Sequence, residues 1–541
     1  MMSHRFRQWT TALPLFLAVH APATVLYVDL NCTNPTPPYT NWISAATNIQ
    51  DAVDAAVAGD RVLVTNGVYR TGSANGGTCR VMLNSAITLT SVNGPQPTTI
   101  LGSSWVKCVY AYNSGAALNG FTLTGSGYGG VQCNSGAVVT NCIIRGNTNG
   151  VSGGTIFNCL IAQNYTAGEG AGARNATLYN CILSNNVARG DGGGAYACTL
   201  YNCRLVANRS RYGGGASGGT LLNCVLDGNS ATGSGGYDGG FSGILSNCTV
   251  TGNSANLSAG GVSGGTVYNC LITSNSAASG GGVYVGNNRL YNCTICANTA
   301  TNSGGGLGMY YSGGNATLVN CIIYGNSANS NANWESYGGG YYDNYYDHCC
   351  TTPEPKQSFF CITNAPGFVD WPSGNFRLQT SSPCINAGEN WELPLTNDLD
   401  GRARIAGGTV DMGAYEFQGS GMGEFIGWLQ HYGLPTDGSA DYTDTDLDDM
   451  NNWQEWIGGT EPTNRLSVLQ MLAPSNGLSG VSVSWQSVSG KTYFLQRGTD
   501  LLLQPGLSAF QSNVVGQAGI TSITDTTATN AGPYFYRIGV Q

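Results

Sequence analysis

The chain is poor in charge and in the residues that acid–base chemistry depends on. Charged residues fill 9% of its 541 positions, and of four histidines only His348 and His431 lie beyond the first 23 residues. A charge content this low, beside 41% hydrophobic residues and 80 glycines, excludes an acidic disordered chain. Beyond the N-terminal region no run reaches 18 consecutive apolar residues, so the pattern holds no bilayer-spanning helix. Lys and Arg number 21 against 30 carboxylates, which argues against nucleic acid as a partner because its affinity rests on clustered cations.

What the N-terminus does have is a basic start (Arg5, Arg7), an apolar stretch from Leu13 to Val19 and the small-residue pattern Ala21-Pro22-Ala23. That order predicts a secretory signal peptide over residues 1–23 and a secreted or cell-surface protein. Losing Arg5 and Arg7 would take the formal charge from −9 to about −11.

The middle of the chain repeats. An Asn-Cys pair recurs with its cysteine at positions 142, 159, 181, 203, 224, 248, 270, 293 and 321, most separations lying between 21 and 24. Three residues before each Cys stands an aliphatic residue, from Val139 to Leu318, and two residues after it another, from Ile144 to Ile323. Alternation after the Cys predicts a strand with one buried face. The spacing of three before it breaks the alternation, so the chain must bend at the Asn, a residue that tolerates the left-handed conformation. In an earlier coil Gly120 takes that place, between Leu118 and the pair Phe121 and Leu123. A second Asn follows each Cys by five residues, from Asn147 to Asn326, commonly before a Gly run.

Strand, bend, strand, turn and strand in about 22 residues predict a right-handed parallel β-helix, with like residues stacked into ladders. The inward Cys position predicts buried thiols, although stacked neighbours are near enough to bridge. Cys349, Cys350, Cys361 and Cys384, with Cys32 and Cys79, lie outside the repeat and are the better disulfide candidates in a secreted chain.

Helical spacing of Ile49, Val53, Ala56 and Val57 before the strand Arg61–Val64 predicts an N-terminal cap helix. The run Ala45–Tyr69 resembles the opening of pectate-lyase-like β-helix proteins, and the coils resemble polymorphic outer-membrane-protein repeats. From Cys349 to Phe417 the motifs Cys349-Cys-Thr-Thr-Pro, Pro366-Gly-Phe-Val-Asp370, Ser382-Pro-Cys-Ile-Asn-Ala-Gly388, Asp398-Leu-Asp-Gly-Arg402 and Val410-Asp-Met-Gly-Ala-Tyr-Glu416 resemble a choice-of-anchor Q domain. That resemblance implies an extracellular protein with a C-terminal surface anchor and names no reaction. No hydrophobic tail with a basic stop, nor a sortase-type motif, follows it here.

The expected order is a signal peptide (1–23), the capped β-helix (24–370), the end of the solenoid with the choice-of-anchor Q-like region (371–420), a calcium-binding segment (421–465) and a fibronectin type III-like β-sandwich (466–541). The fold class is all-β. In the calcium segment Asp444, Asp446, Asp448, Met450, Asn452 and Glu455 stand at EF-hand positions 1, 3, 5, 7, 9 and 12. Position 6, which favours Gly for a sharp turn, is Asp449. The loop resembles dockerin-like and thrombospondin type 3 repeats, and its hard oxygen ligands predict structural Ca²⁺.

Catalytic residues are harder to find. Between Cys142 and Cys321 there are four carboxylates, Glu169, Asp191, Asp227 and Asp238. Asp191 and Asp238 adjoin Gly runs two coils apart, roughly 10 Å, near the upper limit for an inverting pair, with Arg189 and Arg211 close by. They are the weak catalytic candidates. The aromatic residues Trp334, Tyr337, Tyr341, Tyr342, Tyr345 and Tyr346 are ligand-surface candidates that either stack on sugars or cover the end of the core. The expectation is a secreted or cell-surface β-helix protein acting as an adhesin or glycan-binding surface protein, with extracellular polysaccharide or cell-surface glycans as its partners. The alternative is a polysaccharide lyase or glycoside hydrolase.

Overall fold

The computed structural model describes residues 23–232, 241–286, 288–309, 316–335, 344–390, 395–406, 409–418, 421–435, 440, 443–477, 479–499, 507–528 and 533–540. The expected signal peptide lies outside them, save Ala23. Contacts divide the chain into two units, one of Met1–Arg289, Ile295–Ala316 and Gly325–Asn344, the other of Leu290–Thr294, Thr317–Tyr324 and Tyr345–Gln541.

The first unit is a parallel β-helix. One coil shows how the sequence builds it. Strand Thr177–Tyr179 points Leu178 inward, and Asn180 bends the chain at φ 53°. Strand Ile182–Ser184 then buries Leu183, and Asn185 bends it again at φ 54°. Each strand pairs in parallel with its counterpart a coil away, Leu178 opposite Ile156 and Leu200, Leu183 opposite Ile161 and Leu205. The aliphatic row before the bend is fully buried from Val139 to Val267, each such side chain contributing about 1.5–3 kcal/mol.

The nine expected bends are left-handed, with φ between 52° and 55° from Asn141 to Asn320, and Gly120 adopts 79°. A non-glycine residue there costs about 1–2 kcal/mol. The cost is offset by an outer amide ladder in which Asn202 donates to Asn180 and Asn223 to Asn202, at 3.3 and 3.2 Å.

The second Asn row is buried and fully bonded. The backbone and side-chain amides of Asn164 both donate to Asn186 Oδ1 at 3.0 Å, and its side-chain amide also donates to Ile144 O at 2.9 Å. The pattern runs from Asn147 to Asn326, which bonds Asn333 in turn. The Gly runs follow from this ladder: a Cβ at Gly194 would lie 2.4 Å from Gly215 O and 3.0 Å from Asn208 Nδ2, so no side chain fits.

The cysteines line the same interior. The amide of each ladder Cys donates to the thiol one coil on, Cys142 to Cys159 at 3.3 Å and so through Cys248 to Cys270. Cys142, Cys159, Cys181, Cys203, Cys224, Cys248 and Cys270 are buried free thiols, as expected. Cys32, Cys79, Cys349, Cys361 and Cys384 are free too, which corrects their reading as disulfide candidates. Cys349 and Cys361 prove to repeat the ladder geometry: Cys349 N donates to Cys361 Sγ at 3.4 Å, and the preceding His348 and Phe360 take the bend at φ 46° and 53°. The Asn-Cys spelling is lost there while the backbone is kept.

The cap helix is Ile49–Ala55, with Asn48 Oδ1 accepting from Asp51 N at 2.9 Å. It is shorter than the spacing suggests. Asp60 accepts from Val57 N at 2.9 Å and leaves Val57 63% exposed.

The second unit carries coil segments at its start and two antiparallel three-stranded sheets at its end. Ser475–Gly477, Gly480–Ser487 and Gly519–Asp525 form one, and Ser508–Val515, Thr492–Gly498 and Phe535–Val540 the other. Trp485 and Tyr493, both fully buried, meet edge to face at 5.8 Å and join the two as a small sandwich.

Candidate functional site

Asp191 lies in a short bridge to Tyr212 on the next coil. Its partner Asp238 lies outside the described residues. Among the described residues Glu169, one coil back, is placed beside Asp191: Gly170 N donates to Asp191 O at 2.9 Å, and a Cβ at Gly190 would come within 3.4 Å of Glu169 Cγ. Burial and the Glu169 charge raise the Asp191 carboxyl above its usual range, and Arg211 opposes them. Arg189 stands over Tyr165 and Arg211 over Tyr212, at 5.9 and 5.1 Å from the ring centroids.

The aromatic candidates do not act alike. Tyr346 pairs with Leu318 and inherits its inward position at 2% exposure, so it is a core residue and not a ligand surface. Strand alternation, invisible without the register, decides this. Tyr345 points outward and packs on Phe359 at 5.2 Å. Trp334 is half-buried and bridges to Leu307. Tyr337, Tyr341 and Tyr342 lie outside the described residues. A different aromatic row, not singled out in the sequence, runs along the first unit: Phe157, Tyr179 and Tyr201 stack at 4.8 and 4.7 Å. All three are half-buried and face out, two residues from the partly exposed row Thr155, Thr177 and Thr199.

The motif carboxylates between Asp398 and Glu416 are internal ties. Asp398 accepts from Arg402 N at 2.8 Å and Glu416 N at 3.0 Å; Glu416 accepts from Ala406 N and Asp411 N at 2.8 and 2.9 Å; Asp411 accepts from Asn386 N and Phe417 N at 2.7 and 2.5 Å. The buried Arg404 donates to Asp411 O and Gly413 O. Burial pushes the carboxyls of Asp398 and Glu416 up to about 6 and about 7. Gly413, at φ 99°, passes so close to Ile322 and Thr294 that a Cβ would come within 2.8 Å of both, and Ala414 N donates to Thr294 Oγ1 at 2.9 Å.

The acidic loop is assembled as a site. Helix Gly421–His431 and helix Asn452–Gly458 pack through Phe425, Leu429 and Trp456. The second is capped by Asn451, whose side chain accepts from Gln454 N at 2.9 Å while Gln454 Oε1 accepts from Asn451 N at 2.9 Å. Between them Asp444 folds the loop by accepting from Leu447 N, Asp448 N and Asp449 N. Asp449 adopts φ 76°, the conformation Gly commonly supplies at that place.

Asp444, Asp446 and Asp448 each bring a carboxylate oxygen within 4.8 Å of the others. Glu455 is 0% exposed. Both carboxylate oxygens of Asp446, Oδ2 of Asp448 and Oε2 of Glu455 are buried without a hydrogen-bond partner. Desolvation first, then Asp446 and Asp448, push the Glu455 carboxyl up to about 8. Asn452 is committed elsewhere, its Oδ1 accepting from Thr445 Oγ1 and its amide donating to Ala440 O. Hard, anionic, orphaned oxygens on one loop suit a divalent cation of the Ca²⁺ class.

No family model matches the chain, and no curated protein matches it in sequence. Among solved structures it is similar to pectate lyase Pel9A, at 16% identity over 73% of this chain and 97% of that one, with a TM-score of 0.36. It is similar as well to a mannuronic acid specific polysaccharide family 6 lyase from human gut microbiota, at 13% identity over 52% and 84% of the two chains and a TM-score of 0.27. A third is the catalytic domain of a GH87 alpha-1,3-glucanase, at 12% identity over 66% and 70% and a TM-score of 0.29. The coil-to-coil register of the chain itself establishes the parallel β-helix.

Proposed function

We propose that this chain is a secreted or surface-attached protein that binds extracellular polysaccharide along its solenoid. The observation that carries the reading is the outward row Phe157, Tyr179 and Tyr201 beside Thr155, Thr177 and Thr199. Hydroxyls and aromatic edges repeat there at the spacing of parallel strands, a distance close to the advance of one pyranose along a glycan. Each coil can therefore meet one sugar in the same way. The test is retention of the full chain on a panel of immobilised polysaccharides. Loss of retention in Tyr179→Ala with Tyr201→Ala supports the reading, and unchanged retention sinks it.

Ca²⁺ belongs to this proposal as a structural ion held by Asp444, Asp446, Asp448 and Glu455, with the Met450 carbonyl. The choice-of-anchor Q-like region belongs to it as an extracellular element.

The pairing of Asp191 with Glu169 favours a second reading, hydrolysis or lyase chemistry in the turns. Release of reducing or unsaturated sugar ends that disappears in Asp191→Ala would replace binding with catalysis.

A further inference from the structure

The coils between Arg61 and Gly168 carry a charge pattern opposite to that of the whole chain. The protein has a formal charge of −9, yet between Asp60 and Glu169 there is no Asp or Glu, while Arg61, Arg70, Arg80, Lys107 and Arg145 fall in that stretch. The same coils expose large aromatic side chains: Trp105 is 78%, Tyr128 52% and Tyr112 51% exposed.

These features converge on Lys107. Its ammonium lies 4.7 Å from the ring centroid of Tyr128 and 5.6 Å from that of Tyr110. Tyr110 in turn meets Tyr112 edge to face at 5.6 Å. Trp105 stands in a tight turn closed by mutual backbone hydrogen bonds of Ser103 and Val106 at 3.1 Å. The Tyr128 backbone is held as well: its amide and that of Gly129 both donate to Ser126 Oγ, and a Cβ at Gly127 would lie 2.5 Å from Ser104 O. Among the described residues no carboxylate pairs with Lys107. A cation held over rings, without a counter-ion, in coils without acids, is complementary to an anion on a ring-faced ligand.

We infer that this face binds an anionic glycan, with Lys107 taking the carboxylate or sulfate and Tyr128 and Trp105 stacking on the sugar rings. The inference rests on the glycan-binding reading above but names a separate site and a ligand charge. A nucleic acid backbone fits less well, because one ammonium among rings is not the cluster of cations that phosphate affinity needs.

The test measures binding of the full chain to dextran, carboxymethyl-dextran and dextran sulfate, one polymer with and without charge, and to a single-stranded oligonucleotide. Native protein should prefer the charged dextrans, and the preferred one identifies the source of charge. Lys107→Ala, and separately Trp105→Ala, should weaken that binding about tenfold, and Lys107→Ala should also make it less sensitive to salt. Trp105 is exposed and Lys107 half-buried, and a circular dichroism spectrum and melting point like those of the native chain verify the fold of each variant. Equal binding of charged and neutral dextran, charged binding unaffected by Lys107→Ala, or tighter binding of the oligonucleotide would overturn the inference. Loss of neutral-glycan retention in the Tyr179 and Tyr201 variants, with no charge preference, leaves the broader reading standing alone. Lys107-dependent binding that ignores those tyrosines does the reverse.

Discussion

Asn186 Oδ1 accepts two hydrogen bonds from Asn164, one from its backbone amide and one from its side chain, both at 3.0 Å and both away from water. The asparagine one coil on does the same for Asn186. Each residue of the ladder thus satisfies its neighbour's donors, and no member can be removed alone without orphaning groups on the coil beside it.

Asn186→Ala leaves the Asn164 backbone amide and one side-chain N–H of Asn164 without an acceptor and removes the amide that donates to Ile161 O. At roughly 1–3 kcal/mol for each buried group left unmade, a loss of about 3 kcal/mol or more is expected, read as a lower midpoint in urea unfolding. A change below about 1 kcal/mol would mean that water enters and replaces the ladder.

Ca²⁺ should raise the melting temperature of the chain, and chelation should lower it, because bound cation stabilises the folded state by mass action. Asp446→Asn should abolish the shift. Terbium luminescence sensitised through the neighbouring Trp456 gives a direct readout, and its absence in native protein would remove the metal from the proposal.

The carboxyls of Asp398 and Glu416 are raised by burial to about 6 and about 7 in the fold. These two groups therefore bind more protons in the folded chain than in the unfolded one between about pH 4 and pH 7, so their contribution to stability is fully present below that window and is lost as pH rises through it. Glu416→Gln should flatten the upper part of this slope in thermal melts taken with chelator present. An unchanged slope would show that another group titrates there.

Burial pushes the thiols of Cys108, Cys133 and Cys198 up to about 12. A thiol-specific disulfide reagent at pH 8 should leave them unmodified in the native chain and react with them after denaturation. Rapid native labelling, mapped by mass spectrometry, would show that the coils open.

How much of this was legible follows from the range of each interaction. The ladder residues repeat at one coil period, so Leu178, Asn180, Cys181, Leu183 and Asn186 announce a solenoid by themselves. The acidic loop is equally local, since Asp444 to Glu455 lie within one turn and helix. Cys349 was misread because His348 replaces Asn at the bend, a backbone conformation kept with a different letter. For Tyr346 the sequence leaves ligand surface and core cover both open, because inward and outward places on a strand depend on register.

The sequence by itself determined the parallel coils, the left-handed bends and the oxygen-rich loop, because each is written in residues a fixed and short distance apart. Only the tertiary structure decided that Glu169 stands beside Asp191, that Phe157, Tyr179 and Tyr201 stack, and that Lys107 sits over Tyr128. Stacking places residues about 22 positions apart within van der Waals reach, and which outward side chains then meet depends on the register between coils.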